Sequence, residues 1–491
     1  MIIPKILYNG HRLVYNPANP AHCLGEVTEA TTEQVAAAFA NAQQGFAHWR
    51  SVPVAQRAAC LERLGDLVEQ NRAELMAILI NEAGKTVTDA LAEIREATDF
   101  CRYYAARARI DFAPLKLSGP TGEENTLTLH GRGVFACISP WNFPLAIFLG
   151  QITAALVAGN SVIAKPAPQT PLIAACATRL IHTAGVPADV FQLLTGGADI
   201  GAGLIAHAAL AGVAFTGSTA TAQSINRTLA QKDGPIVPLI AETGGQNALI
   251  VDSSALPEQV IDDAIAGAFR SAGQRCSALR ILCLPTTTAD NILALLKGAL
   301  LELRVGDPNH LATDVGPVID KAAQQRLADH VALLRRDAKE VATLPLDDAP
   351  QGTFVAPQIW EIPAVGWLKG EVFGPILHVV RYDPAALDPL IAAINATGFG
   401  LTGGIHSRIA ATIRHVERAL QVGNFYVNRS QIGAIVGAQP FGGEGISGTG
   451  PKAGGPHYLA RFATERVTAN NLAAAGGNAS LLLTAGEDVL F

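Results

Sequence analysis

Apolar and polar positions along the chain change rhythm near residue 133. Between residues 31 and 110 apolar positions recur every three or four residues, the period of helices with one buried face. Thr31 and Gln34 form a capping-box pair, after which Val35, Phe39 and Phe46 share a face. A second long helical pattern carries Leu61, Leu64, Leu67 and Val68. From 133 onward short apolar runs take over: GVFACIS, SVIAKP, VFQLLTG, GVAFTG and VPLIAE, separated by helical stretches. Strands apolar on both faces and alternating with helices predict a parallel, doubly wound α/β sheet. A second alternating block runs from about 244 to 440 and includes GPILHVVRY and LTGGIHS. The segment TLTLHGR, 126–132, alternates apolar with polar and predicts half of an exposed ribbon. From Asn471 the chain turns Ala/Gly-rich and reads as a loosely held tail.

Composition narrows the classes. The chain has 491 residues, 49% hydrophobic and 16% charged, enough for two or three domains with large cores. A net charge of −6 leaves no basic footprint for nucleic acid. The seven cysteines include no CxxC pair, which argues against zinc fingers and a disulfide framework, and no metal is implied. An odd cysteine count in a long chain reads as a protein of the reducing cytoplasm. MIIPKILYNGHR turns polar too soon for a signal peptide. Apolar stretches are broken before the roughly 18 residues a membrane span needs, so none is expected.

Candidate chemistry lies in the connectors. EQVIDDAIAGAFR has the stripe of a helix and ALRILCLP that of a strand, so Cys276 falls in a polar linker, SAGQRCS. Free cysteine is most often a small buried hydrophobe. A Gly-Gln-Arg-Cys-Ser loop suits a nucleophile better. Such a thiol acts if dipoles and a cationic cofactor ring lower its pKa. Glu242, in IAETGGQNALIV, sits between apolar strands and a Gly-Gly turn. It is either half of a structural ion pair or a general base with a raised pKa. Asn142, in PWNFPLAIF, either caps a helix or faces a pocket. Lys165 ends a strand at the carboxyl edge, where such sheets bind ligands; the alternative is a solvated lysine. In FTGSTATAQ, 215–223, a strand runs through Gly-Ser into a helix, which is an anion site or an ordinary turn. EVFGP, 371–375, adds another carboxylate beside a Gly-Pro turn. GEGISG, 443–448, matches GxGxxG but follows no strand, so it is set aside as a pyrophosphate loop.

PWNFP, KPAPQTP, FTGS, ETGG, GQRCS, EVFGP and PFGG, in this order, resemble the aldehyde dehydrogenase superfamily, and Cys276 follows Glu242 by 34 positions as in that family. PWNFPLAIF, GQRCSALR and SGTGPKAGGPHY resemble the glutamate-γ-semialdehyde (pyrroline-5-carboxylate) dehydrogenase domain of bifunctional proline-utilisation proteins. No proline dehydrogenase segment or DNA-binding arm is seen, so the chain looks like that domain alone. The resemblance implies a cofactor domain (1–120 and 133–243), a catalytic domain (244–440), and a small β element for homodimer formation (121–132 and 456–470), with 471–491 as tail. It implies that Cys276 attacks the aldehyde, that the Asn142 amide and the Cys276 N–H hold the oxyanion, and that Glu242 activates water. Ser139, Pro140, Trp141, Lys165, Pro168, Thr216, Gly217, Ser218, Gly244, Glu371 and Phe373 would line the NAD site. Ser277, Gly454 and Gly455 would hold the substrate carboxylate, the two glycines as an anion nest. Read without the resemblance, those glycines are a plain turn before Pro456. Phe143 and Phe441 would wall the methylene chain, and Glu96 would face the ammonium group or form a surface ion pair. Many NAD-using members carry Glu at the position of Pro168, so NADP stays open beside NAD. The expected activity is oxidation of glutamate γ-semialdehyde. The alternatives are succinate semialdehyde or another aldehyde, and a catalytically silent scaffold, against which the joint retention of Cys276, Glu242 and Asn142 speaks.

Overall fold

The structure, a computed structural model, describes residues 12–346 and 351–472. The periodic N-terminal region forms four helices, Thr32–Trp49, Val54–Gln70, Arg72–Ala83 and Val87–Asp111. The capping box at Thr31 is made in both directions. The buried stripe of the first helix runs through Val35, Phe39, Ala42 and Trp49. Phe46, expected on that face, is half-buried instead, with the Arg50 guanidinium over its ring. A short hairpin, Arg12–Asn16 with Asn19–Val27, precedes these helices and was not anticipated.

The five apolar runs form one parallel sheet, ordered Phe191–Leu193, Ser161–Lys165, Val134–Ile138, Leu210–Thr216, Leu239–Glu242. Successive side chains of the central strand serve different cores. Phe135 and Cys137 pack with the helices of residues 54–112, while Val134, Ala136 and Ile138 pack with Val35 and Phe39 and the helices Ala198–Ala206 and Thr219–Ala230. A strand buried on both faces has no polar face to show, which is why its sequence does not alternate. The chain builds outward from Val134–Ile138 and then crosses back to Leu210–Thr216. This reversal makes a crevice at the carboxyl ends of those strands.

The second block forms a seven-stranded sheet ordered Lys339–Thr343, Gln358–Glu361, Ile376–Tyr382, Ile281–Pro285, Ala248–Val251, Thr402–His406, Asn424–Val427. It is parallel except for the edge strand Lys339–Thr343. Its core is separate from the two above.

The exposed ribbon is three-stranded: Leu115–Leu117, Glu123–Gly131 and Ala463–Asn471. Its first strand falls within 1–120, which had been assigned to the cofactor domain. Of residues 456–462, expected in the ribbon from the sequence, Tyr458, Leu459 and Phe462 are buried in the core of the N-terminal helices, with Tyr458 stacked on Tyr104, while Pro456, His457 and Ala460 are exposed. Asn471, the first residue of the expected tail, ends the ribbon strand, and the tail from 473 lies outside the described residues. No described helix is long and apolar enough to cross a membrane.

Candidate active site

The connector around Cys276 is built under tension and clamped. After the helix Pro257–Phe269 the backbone turns left-handed at Ser271 (φ 54°), Ala272 (φ 52°) and Gly273 (φ 65°). For the first two residues this conformation costs roughly 1–3 kcal/mol each. Ionic and polar contacts hold it. Arg275 pairs with Asp89 at 2.7 Å and donates to Ser271 Oγ, which donates to Asp89. The fully buried Arg280 donates to the carbonyls of Gly273 (2.7 Å) and Arg275 (2.9 Å). Asn247 Nδ2 donates to the carbonyls of Cys276 (2.6 Å) and Ala278 (2.8 Å). Cys276 is thus displayed by a rigid loop between helix and strand.

Two cavities meet at Cys276. The larger, about 900 Å3, is bordered by Pro140, Trp141, Asn142, Thr216, Gly217, Ser218, Gly244, Glu371 and Phe373, as expected for the cofactor side. The smaller, about 110 Å3, is bordered by Glu96, Phe143, Glu242, Ser277 and Phe441. Cys276, Ile147, Thr216 and Thr243 belong to both walls.

Glu242 closes the last strand of the five-stranded sheet, and a glycine-rich loop folds around it. Its Oε2 accepts the Gly443 N–H at 3.0 Å, and its Oε1 is buried without a hydrogen-bond partner. A Cβ at Gly442 would lie 2.7 Å from Oε1, and one at Gly448 2.9 Å from Oε2. The GEGISG run is therefore part of a carboxylate cradle, a role its sequence did not suggest. Burial raises the Glu242 pKa to about 8 against the opposing pull of the Gly443 N–H and of Lys452. The Cys276 thiol is pushed up to about 12 by burial and by Glu371, Glu242 and Glu96; the Ser277 N–H acts the other way. In the protein alone, burial first and the three carboxylates next outweigh the local dipoles, and the lowered thiol pKa expected from the sequence also calls on a cationic cofactor ring.

Asn142 does not cap the helix that follows it. The start of that helix, Ala146–Val157, is held by Glu93, whose Oε1 accepts the Leu145 and Ala146 N–H groups at 2.8 and 3.2 Å. Asn142 is left to border the larger cavity, donating one N–H to the Gln274 carbonyl at 3.1 Å. Glu93 is fully buried, and its other oxygen lies 2.8 Å from Lys85 Nζ. The Lys85 ammonium in turn sits 4.1 Å from the centre of the Phe143 ring. Glu93→Ala is expected to cost about 3–5 kcal/mol by stranding the buried Lys85 charge and two helix-start amides. Urea unfolding checks this; a loss under about 1 kcal/mol would mean that water replaces the carboxylate.

The other cofactor-side residues divide. Lys165 is buried, not solvated; its Nζ donates to the carbonyls of Pro166 (2.8 Å) and Gly196 (3.0 Å), and burial brings its pKa down to about 8. Ser139, Lys165 and Pro168 do not border the larger cavity. Ser139 N–H donates to the Lys165 carbonyl, and the Pro168 carbonyl accepts from Arg12. The Gly217 N–H is taken by the Glu242 carbonyl (3.1 Å) and so is closed to a phosphate. Ser218 caps the helix Thr219–Ala230 through the Thr221 N–H, leaving the first amides of that helix to face an anion. Gly244 admits no side chain: a Cβ there would lie 1.7 Å from Glu371 Oε2. Arg280 and the Gly245 N–H steady Glu371, whose pKa burial raises. Phe373 meets Trp141 edge-on at 5.5 Å.

The proposed nest at Gly454 and Gly455 is not present. The Gly454 N–H donates to the buried Tyr104 hydroxyl at 2.8 Å, and the Gly455 N–H closes a turn on the Lys452 carbonyl at 3.2 Å. Neither glycine borders the smaller cavity; Gly433 and Ala434 do. Gly433 has φ 79° and open space above its Cα. Among the described residues neither the Gly433 nor the Ala434 N–H has a partner, and neither does the Ser277 hydroxyl. Glu96 is half-buried in the wall of this cavity, with its pKa raised to about 7 by burial and by Glu93, against Arg275 and Lys85.

Comparison with known proteins agrees with this geometry. The model of the aldehyde dehydrogenase family matches residues 9–468. The chain is 50% identical over 463 residues to the bifunctional protein PutA of Klebsiella aerogenes, covering 92% of this chain and 34% of that protein. It therefore spans about a third of the length of that relative. It is 36% identical over 467 residues to the 1-pyrroline-5-carboxylate dehydrogenase of Bacillus cytotoxicus, covering 93% of this chain and 89% of that one. A solved 1-pyrroline-5-carboxylate dehydrogenase from Thermus with bound NAD superimposes with TM-score 0.89 at 31% identity, covering 94% of this chain and 90% of that one. On these matches and this fold, the chain belongs to the aldehyde dehydrogenase family.

Proposed function

We propose that the protein oxidises glutamate γ-semialdehyde, formed when 1-pyrroline-5-carboxylate opens, to glutamate, using a nicotinamide dinucleotide. The observation that carries this reading is the smaller cavity. It opens on the Cys276 thiol, offers three unpartnered donors at Ser277, Gly433 and Ala434, and has aromatic walls and the Glu96 carboxylate. A chain with an aldehyde at one end and an α-amino acid group at the other matches that arrangement. Ser277 and the Gly433 and Ala434 amides, rather than Gly454 and Gly455, would take the α-carboxylate. Phe143 and Phe441 would flank the methylenes, and Glu96 would face the ammonium group.

The residues of the larger cavity fit a dinucleotide. The first amides of the helix at Thr219, which the Ser218 cap leaves open, suit a pyrophosphate, Trp141 and Phe373 offer flat apolar surface, and Glu371 offers an acceptor for ribose hydroxyls. The dinucleotide, when bound, supplies the two-electron acceptor. The chain supplies the rest. Cys276 gives up its thiol proton to solvent, Sγ bonds to the aldehyde carbon as the carbonyl π pair moves onto oxygen, and the Asn142 amide with the Cys276 N–H would receive the developing oxyanion. Once oxidation has left a thioester on Cys276, Glu242 takes a proton from water, whose oxygen attacks the acyl carbon. The Cys276 thiolate then leaves, the proton held by Glu242 returns to it, and glutamate is the product.

Further parts of the reading follow from the same arrangement. The cofactor unit comprises the N-terminal helices and the five-stranded sheet, and the catalytic unit the seven-stranded sheet. The exposed ribbon of residues 115–131 and 463–471 is the surface for a second copy, giving a homodimer. The reaction is placed in the cytoplasm, as a step of proline catabolism, in company with a proline dehydrogenase on the same or another polypeptide.

The ratio of kcat/KM for glutamate γ-semialdehyde over succinate semialdehyde tests the substrate. Arg275 also borders the smaller cavity, but Asp89 and Ser271 occupy its Nη2 and Nε, so it offers no two-pronged clamp for a plain dicarboxylate half. A ratio well above one is expected, and equal or reversed preference would reject the assignment. Ser277→Ala is expected to lower kcat/KM for the amino-acid semialdehyde about tenfold while leaving propanal nearly unchanged.

A further inference from the structure

Behind the smaller cavity, the helix Val87–Asp111 carries Glu96, Phe100 and Tyr104, four positions apart and so on one face. Glu96 and Phe100 border the cavity. Tyr104 does not: it is fully buried, its ring stacked on Phe100 (5.5 Å between centres) and on Tyr458 (5.7 Å), which are both wall residues. Two wall residues thus fix where its hydroxyl points. That hydroxyl accepts the N–H of the buried Gly454 at 2.8 Å. Gly454 has φ 68°, and a Cβ there would lie 3.3 Å from Val436 Cα, so its strand passes close against residues 433–441. Backbone hydrogen bonds of 2.9 Å join the two segments: the Gly437 N–H donates to the Gly454 carbonyl, and Phe441 and Ala453 bond to each other in both directions. Among the described residues, the helix makes one other hydrogen bond to residues 450–458, a 3.5 Å contact from Arg107 to the Pro456 carbonyl. The proposed chemistry assigns nothing to Tyr104.

We propose that Tyr104 is a positioning residue for recognition of the amino-acid end of the substrate: through Gly454 it sets how far the segment bearing the Gly433 and Ala434 amides stands from Glu96. This inference rests on the reading of the smaller cavity as the site of an α-amino-acid aldehyde. The carboxylate and ammonium of an α-amino acid share one carbon, so donors for the first and an acceptor for the second serve only at a matching separation. Glu96 belongs to the helix and the amides to a distant loop. The Tyr104 hydroxyl links the two, about two helical turns beyond Glu96. Phenylalanine would keep the stacked ring but leave the Gly454 amide buried without an acceptor, so the strand, and the loop bonded to it, would shift. An aldehyde without an amino-acid end, such as propanal, uses neither the amides nor Glu96.

The test is kcat and KM for glutamate γ-semialdehyde and for propanal in the parent, Tyr104→Phe and Tyr103→Phe. Tyr104→Phe is expected to raise KM for the amino-acid semialdehyde about tenfold with kcat within about twofold, and to leave kcat/KM for propanal within about twofold. The inhibition constant of L-glutamate, which keeps the amino-acid end, should rise by a similar factor. Tyr103→Phe removes the neighbouring hydroxyl but takes no acceptor from Gly454, and should change neither substrate. A merely structural role for Tyr104 would lower the amount of active enzyme, and so kcat for both aldehydes together. Equal losses on both, no loss on either, an unchanged glutamate inhibition constant, or the same selective rise in Tyr103→Phe would overturn the inference; the substrate reading then stands if the parent prefers the amino-acid semialdehyde to succinate semialdehyde. If the parent shows no such preference, the substrate reading fails and this inference with it.

Discussion

Cys276→Ala is expected to lower aldehyde oxidation by at least about 10^4-fold while leaving the NADH dissociation constant nearly unchanged. The thiol borders both cavities, and of the side chains shared by the two walls, Ile147, Thr216, Thr243 and Cys276, it is the one with a thiol nucleophile. The remaining cysteines offer no substitute: Cys23 is exposed on the hairpin, and Cys60, Cys101, Cys137, Cys176 and Cys283 are buried. Alanine removes only the Sγ atom from a loop that Arg280 and Asn247 hold through backbone carbonyls, so the loop keeps its shape. Steady-state production of reduced cofactor at 340 nm measures the loss, and fluorescence titration measures the retained binding. Activity above a few per cent of the parent would remove Cys276 from the role of nucleophile.

Glu242→Gln is expected to lower steady-state turnover by about 10^2–10^4-fold and to leave one rapid turnover per site intact. A glutamine keeps the acceptor for the Gly443 N–H but cannot take a proton from water. On the proposed mechanism Glu242 acts in release of the acid and not in the oxidation that precedes it. Stopped-flow absorbance should show a burst of reduced cofactor close to one equivalent, followed by a slow phase. The pH dependence carries the same signature. A base with a pKa near 8 is protonated and idle below that value, so the parent's turnover should rise as pH increases through 8. In Glu242→Gln the Glu242 contribution to this limb should vanish. A variant without a burst would place Glu242 before oxidation rather than after it.

The architecture was legible because its driving force is local. Each run from GVFACIS to VPLIAE is apolar on both faces, and burial between two helix layers is the arrangement that satisfies such a strand. The alternation placed Cys276, Glu242 and Asn142 in connectors at the edges of strands and helices, while most residues of the larger cavity were named through the resemblance of the motifs around them. What escaped depends on contacts between distant residues. Nothing near Asn142 indicates that Glu93, some fifty positions earlier, caps the following helix. Gly454 and Gly455 look like a nest because glycine signals an accessible amide, but Tyr104 and Lys452 already take those amides. Gly433 and Ala434 leave theirs free, and the local sequence, Ile432 to Ala438, is an apolar Gly/Ala-containing run that gives no sign of it. The thiol's upward shift was equally hidden: it comes first from burial and then from Glu371, Glu242 and Glu96, which arrive from three separate segments.

The central claim is that an amino-acid semialdehyde is held in the smaller cavity and oxidised while bound to Cys276. Intact-mass measurement and peptide mapping of Glu242→Gln, quenched in acid after mixing with glutamate γ-semialdehyde and NAD, test it most directly. The account predicts one glutamyl group per chain, on the peptide carrying Cys276, in step with the burst of NADH. A burst without an adduct, or an adduct on any other residue, would contradict it.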